Sequence, residues 1–184
     1  SIPNLREVVN ILSRDCKTNI VSLVKMSATL RFTPPILFIL VFILSSCNNN
    51  IVYTKYQTFS ENEWHSKDSA VFEFDVKDTL SLNNISLMVR HADSYEYRNL
   101  FLFVTSKYPN GKVSSDTMEV VLSNEKGEWQ GSGAGDIFDY KVVIKKNTRL
   151  PMSGKYLFSF KQGMRQDPLP LIMDFGFEIE KVNN

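Results

Sequence analysis

The chain has 184 residues, 21 Lys plus Arg against 20 Asp plus Glu, a formal net charge of +1 and 43% apolar residues. That balance belongs to a folded globular protein and excludes a disordered, collagenous or polytopic membrane chain. Near-zero charge removes a global electrostatic case for nucleic-acid binding, and two Cys and two His make neither a disulfide-rich scaffold nor a Cys-based zinc site.

Residues 1–25 show brief helical periodicity (Leu5, Val8, Val9, Leu12) with no partner to pack on, and read as an upstream extension containing Cys16. Met26 is the expected true start of translation. Lys25 and Arg31 precede nine consecutive apolar residues, Ile36 to Leu44. A bilayer-crossing helix needs about 20, so this run suits the apolar region of a signal peptide. Leu44-Ser45-Ser46-Cys47 follows, then Asn48-Asn49-Asn50. A Leu, two small residues and a Cys resemble the bacterial lipobox. In such signals the Cys thiol receives diacylglycerol, the peptide is cut before it and the new amino terminus is acylated. The expected organisation is a lipoprotein signal peptide over 26–46 and a mature chain over 47–184, held to the membrane by acyl chains on Cys47. Two or more chains make such anchoring stable, whereas one does not.

Taking 46 from 184 leaves 138 mature residues, and taking five basic and two acidic residues from 21 and 20 leaves 16 against 18, a net charge of −2. The only Cys in this part is the lipidated one. All eight Gly and 19 of the 22 aromatic residues lie here, so the fold must be built here.

The mature chain reads as strands. Trp64 to Ser69 allows one helical turn. Phe72, Phe74 and Val76 then alternate with Glu73 and Asp75. Ile85, Leu87 and Val89 alternate with Ser86, Met88 and Arg90. Leu100 to Thr105 (LFLFVT) is apolar on both faces and is expected to be a central strand covered on both sides. Tyr108-Pro109-Asn110-Gly111 predicts a hairpin in which Asn-Gly supplies positive φ angles. Met118, Val120 and Leu122 then alternate with Thr117, Glu119 and Val121. Tyr140, Val142 and Ile144 oppose Lys141, Val143 and Lys145, and Tyr156, Phe158 and Phe160 oppose Lys155, Leu157 and Ser159. Met173, Phe175, Phe177 and Ile179 alternate with Asp174, Gly176, Glu178 and Glu180. This period of two with β-branched and aromatic enrichment marks half-buried strands. About seven or eight of them with short connections predict an all-β fold, a single antiparallel β-sandwich of jelly-roll or Ig-like type.

Chemistry is sparse. Gly131-Ser132-Gly133-Ala134-Gly135-Asp136 has no following Gly-Lys-Ser/Thr and no strand-to-helix switch, so it reads as a wide loop or bulged edge and not a phosphate cradle. His65 and His91 are too isolated for a metal site. His91, Asp93 and Ser94 lie too close in sequence for a catalytic triad, whose members come from separate elements. No catalytic, metal or cofactor residues are assigned, and the acidic residues fall on polar strand faces where solvation accounts for them. The segment Arg90 to Asn99 reads as a contact surface: Tyr95 and Tyr97 share a face of an extended piece flanked by Arg90 and Arg98, and Tyr and Arg are favoured interface anchors. The alternative, one Tyr packed under the loop with solvated charges, stays open. Met164 and Arg165, ending another strand, extend the same candidate surface.

An ordered set of segments resembles the GldH family, lipoproteins named for gliding motility in Bacteroidota. It runs from the Ser-Ser-Cys47 box through Val52-Tyr53, Tyr56, Trp64, Phe72-Glu73-Phe74 and Val89-Arg90 to Tyr97. It continues with Asn99 to Val104, Tyr108 to Lys112, Asp116-Thr117, Trp129, Gly131-Ser132-Gly133 and Gly135-Asp136-Ile137. Pro151, Ser153-Gly154, Tyr156, Met164-Arg165, Asp174, Gly176-Phe177 and Ile179-Glu180 close it. The resemblance implies a lipid-anchored outer-membrane protein that supports gliding and the associated type IX secretion machinery through other envelope proteins, with no enzymatic activity, no cofactor and no catalytic residue to carry over. Relatives in species that do not glide widen this to a general envelope role. Asn48-Asn49-Asn50 lacks the acidic residues of surface-export signals, which favours the periplasmic face. The alternative expectation is a small-ligand or glycan-binding envelope sandwich, for which the aromatic residues would supply stacking surfaces.

Overall fold

The computed structural model describes residues 50–182, and the proposed signal peptide, Cys47 and the upstream extension lie outside the described residues. Eleven strands follow one another: β1 (Ile51–Thr58), β2 (Glu63–Trp64), β3 (Ala70–Val76), β4 (Asn83–Ala92), β5 (Asn99–Lys107), β6 (Val113–Val121), β7 (Ser132–Ala134), β8 (Ile137–Thr148), β9 (Gly154–Gln162), β10 (Leu169–Pro170) and β11 (Ile172–Lys181). They form a five-stranded sheet in the order β1-β11-β4-β8-β7, a four-stranded sheet in the order β3-β9-β5-β6, and a small ribbon of β10 with β2. Every pairing is antiparallel. With the short strands set aside, the chain visits the two sheets in the double Greek-key order of a jelly roll, which decides between the two sandwich types.

The alternating residues become the core. Phe72 and Phe74 of β3, Leu100 and Leu102 of β5, and Tyr156 and Phe160 of β9 face Ile85, Leu87 and Val89 of β4 and Phe175, Phe177 and Ile179 of β11. Phe177 bridges the sheets, its ring centroid 5.5 Å from Phe72, 5.9 Å from Phe74 and 5.8 Å from Phe160. At one end the β2–β10 ribbon closes the core with Trp64, fully buried, stacked on Phe59 at 4.5 Å and donating its indole N–H to the Asp68 carbonyl at 3.0 Å.

Within the strands and turns the structure departs from the sequence expectations at the following places. The helical turn falls earlier, as a 3-10 turn at Ser60–Asn62, because Glu63 and Trp64 are drawn into pairing with Pro170 and Leu169. The hairpin after β5 closes with only Gly111 at positive φ (+81°), and Tyr108 both accepts from the Gly111 N–H and donates to the Lys112 carbonyl. This is the three-residue loop with a glycine bulge, in which Asn110 keeps an ordinary φ. Strand β5 is internal to its sheet but covered on one face alone: Phe101 and Phe103 are 38% and 54% exposed. Conversely Asp174 and Glu178, read as solvated, are buried at 5% and 7% exposure. They lie on the outward face of β11, roofed by longer side chains of its neighbours.

The register also sorts the connections into two ends. The chain enters at Asn50, whose carbonyl accepts the Lys181 N–H at 2.7 Å, so the first and last strands meet at one end. Alternation of antiparallel strands places the turns at 77–82, 108–112 and 149–153 at that end. The connections 59–69, 93–98, 122–136 and 163–171 lie at the opposite end.

Candidate functional site

The 93–98 connection carries the chain from the five-stranded to the four-stranded sheet, and its residues separate into buried supports and exposed ends. Tyr95 is a support. It is 4% exposed, donates its hydroxyl to the Asn99 carbonyl at 3.1 Å and packs beside His91 and Tyr97 at 5.7 and 5.6 Å. Burial raises its hydroxyl pKa far above the usual value. Trp129 is tied to the same connection, its indole N–H donating to the Asp93 side chain at 2.8 Å, with the His91 ring in a T-shaped contact at 4.5 Å. Thus Tyr95 and Tyr97 do not share an open face; only Tyr97, half-buried, reaches the surface, where its hydroxyl donates to Gln166 Oε1 at 2.8 Å. Arg98 is exposed.

That bond joins the 93–98 connection to 163–166. Gly163 N–H donates to the Phe101 carbonyl at 2.7 Å, Met164 Sδ accepts the Phe101 N–H at 3.3 Å, and Met164 N–H donates to buried Gln162 Oε1 at 2.8 Å. Gln162 Nε2 donates in turn to the Gln166 carbonyl at 3.1 Å. Gly163 lies where a Cβ would stand 3.1 Å from the Phe103 ring, so absence of a side chain lets the loop lie down on β5. The result is a surface of Phe101, Phe103, half-buried Met164 and Tyr97, flanked by exposed Arg98 and Arg165. Sequence reasoning placed four of these and missed Phe101 and Phe103. The signal was present in a strand apolar on both faces; two covers were assumed where the sandwich supplies one.

Arg90 does not belong to this surface. It sits in β4 on the outward face of the five-stranded sheet, in a cross-strand row of Thr58, Asp174, Arg90 and Asp139. Its guanidinium donates to both Asp139 oxygens at 2.7 and 3.0 Å and to Asp174 at 3.2 Å, and the Asp139 hydrogen bonds raise its pKa. In the next rows Lys141 bonds Glu178, which raises the Lys141 pKa, and lies 3.5 Å from Glu180. Tyr56, 55% exposed, covers Gly176 and donates its hydroxyl to Met88 Sδ at 2.9 Å. Tyr56, Met88, Arg90, Asp139, Lys141 and Glu178 border a shallow recess of about 330 Å³. A second recess of about 510 Å³ lies beside the 59–69 connection, lined by polar residues including Glu61, His65 and Lys67. Among the described residues no three His, Cys, Asp or Glu side chains converge as a metal site, and no helix is long and apolar enough to cross a membrane.

Comparison with known proteins adds lineage. Residues 51–179 match the family described as GldH lipoprotein. The protein named gliding motility lipoprotein GldH homolog from Christiangramia forsetii is 41% identical over 157 residues, covering 80% of this chain and 95% of its own length. Gliding motility lipoprotein GldH of Flavobacterium johnsoniae is 30% identical over 153 residues, covering 79% and 94%. Among solved structures, the Yersinia pseudotuberculosis-derived mitogen aligns over 72% of this chain and 88% of its own, at 6% identity and a TM-score of 0.29, too remote to bear on function.

Proposed function

The chain belongs to the GldH lipoprotein family, and on that premise we propose that it is a non-enzymatic lipoprotein, anchored through acyl chains on Cys47, that supports gliding motility as a protein-contact component of the envelope. The proposal extends to the periplasmic face of the outer membrane and to the type IX secretion machinery as the setting. The observation that carries the contact role is the outward-facing pair Phe101 and Phe103, beside Tyr97 and Met164 and between Arg98 and Arg165. Exposed rings rimmed by Arg and Tyr are the composition of a protein-binding patch. Tyr95 underlies the patch, and Arg90 stands apart from it.

Two measurements test this. A Cys47→Ala chain should leave the membrane fraction; unchanged retention would end the anchoring claim. A Phe101→Thr/Phe103→Thr chain, folded and still anchored, should lose envelope proteins that cross-link to the native chain. A full set of cross-linked partners would remove the surface.

A second reading, a glycan-binding sandwich, has one observation in its favour. The exposed ring of Tyr56 stands beside Arg90, Asp139 and Lys141 at the recess on the five-stranded sheet, an aromatic platform next to polar groups suited to sugar hydroxyls. Retention on immobilised envelope polysaccharide, lost in Tyr56→Ala, would support it, and lack of retention would dispose of it.

A further inference from the structure

Among the described residues, strand β6 ends its sheet with an open side. In its hairpin with β5, nine pairs run from Asn99↔Val121 to Lys107↔Val113 without a register shift. Tyr108 N–H donates to the Lys112 carbonyl and Leu122 N–H donates to the Arg98 carbonyl. Hydrogen-bonded pairs alternate along an antiparallel ladder, so the even-numbered residues of β6 bond to β5. The odd-numbered ones, Val113, Ser115, Thr117, Glu119 and Val121, turn their N–H and C=O groups to the free side. Thr117 shows this directly: its N–H donates at 2.8 Å to the carboxylate of its own neighbour Asp116.

Of the other three edges, β3 at the far side of the same sheet is shorter, with seven residues, and two are short or irregular. β7 has three residues, and β1 carries a register shift at Ile51/Tyr53. β1 also leans on β3 across the sandwich through Tyr53 and Phe74, with ring centroids 5.0 Å apart. β6 has nine residues, neither Pro nor Lys, and no bulge. Such an edge is a template for another strand.

The sequence of β6 says which strand. Its free groups must meet free groups, so odd residues face odd residues. A two-fold axis through Thr117 meets that condition and opposes Thr117 to Thr117, Ser115 to Glu119 and Val113 to Val121. The alternate pairs are Asp116 with Met118 and Ser114 with Val120. No like charges stand opposite one another. Val113 and Val121, 55% and 42% exposed in the single chain, cover each other twice, which removes apolar surface from water, and Thr–Thr is a favourable cross-strand pair. From this self-complementary register we infer that β6 is the site of pairing with a second copy of this chain, joining two four-stranded sheets into one of eight. The Asp116 carboxylate is the guard on that edge, released when Thr117 N–H bonds its counterpart. Confinement to a membrane raises the effective concentration of copies and favours a pairing that is weak in dilute solution. The inference is independent of the Phe101/Phe103 patch.

The test uses the full chain in its native membranes, with Cys16→Ser throughout. Thr117→Cys places two thiols across the axis at a Cα separation of about 5.5 Å, inside the disulfide range. Mild oxidation should yield a disulfide-linked dimer. Val113→Cys alone should not, because its counterpart is remote, but Val113→Cys and Val121→Cys chains expressed together should join. Asp116→Ala should raise the dimer yield about fivefold, the worth of one hydrogen bond. Thr117→Pro should abolish dimerisation (read in this variant by amine cross-linking) with unchanged protease resistance, since the lost N–H is not used within the sheet. Thr117→Cys linking no better than Val113→Cys, or linking to a chain of different mass, overturns the inference.

Discussion

Nε2 of His91 is buried without a hydrogen-bond partner among the described residues, while Nδ1 lies 2.9 Å from the Ala92 carbonyl. The neutral ring protonated on Nδ1 satisfies that arrangement, and a second proton would have to reside among Trp129, Tyr95 and Phe138. Burial therefore lowers the pKa, against smaller opposing effects of the Ala92 carbonyl, Asp93 and Asp139. Because the unfolded His titrates near 6.5, the unfolded chain binds the proton first on acidification. This contribution to stability is complete above about pH 6.5 and is lost as pH falls toward the lower folded value, by at most about 1.4 kcal/mol per pH unit. Urea midpoints at pH 7.5 and 5.5 should differ less in His91→Phe than in the native chain; equal differences would exclude His91 as the source. Two glycines give a second comparison. Gly111 needs only its φ of +81°, with nothing within 4 Å of a Cβ, whereas at Gly131 (φ +98°) a Cβ would lie 2.2 Å from the Asp139 carbonyl oxygen. Gly111→Ala should cost about 1 kcal/mol, and Gly131→Ala several, because β7 must leave β8; denaturant titration reads both.

At the scale of elements, a period of two states which side chains share a face and is silent about what covers that face. Strands β3, β4, β8, β9 and β11 were legible because Phe, Val and Ile alternate with polar residues. The same pattern misleads at β11, where Asp174 and Glu178 look solvated and are roofed by Arg90 and Lys141. Phe101 and Phe103 err in the opposite sense, apolar yet uncovered. The candidate surface was half legible for a related reason: Tyr97, Arg98, Met164 and Arg165 are typical contact residues, but their meeting depends on Gln162 and Gln166, whose hydrogen bonds have no sequence signature. Strand β5 converts this into numbers. Phe101→Thr with Phe103→Thr should change stability by less than about 1 kcal/mol, whereas Leu102→Ala, fully buried on the opposite face of the same strand, should cost about 2–5 kcal/mol. Equal losses would mean that the outward rings are packed after all.

Across the described domain the two sheets are joined by aromatic contacts. Phe177 touches rings from β1, β3 and β9. Phe177→Ala should cost about 3–5 kcal/mol and lower the thermal midpoint without changing the outer faces; a smaller loss would show that the sheets close over the cavity. The shared location of Asn50 and Lys181 has a further bearing. Strands such as β4, with ten residues, span about 30 Å at about 3.3 Å per residue, and Tyr97, Met164 and Arg165 sit at the end remote from Asn50. On the proposal that Cys47, three residues before Asn50, carries the lipid, the proposed contact surface lies on the side of the domain away from the tethered strand end. A spacer inserted after Asn48 would then lengthen the tether and extend the reach of that surface without altering a single proposed contact residue.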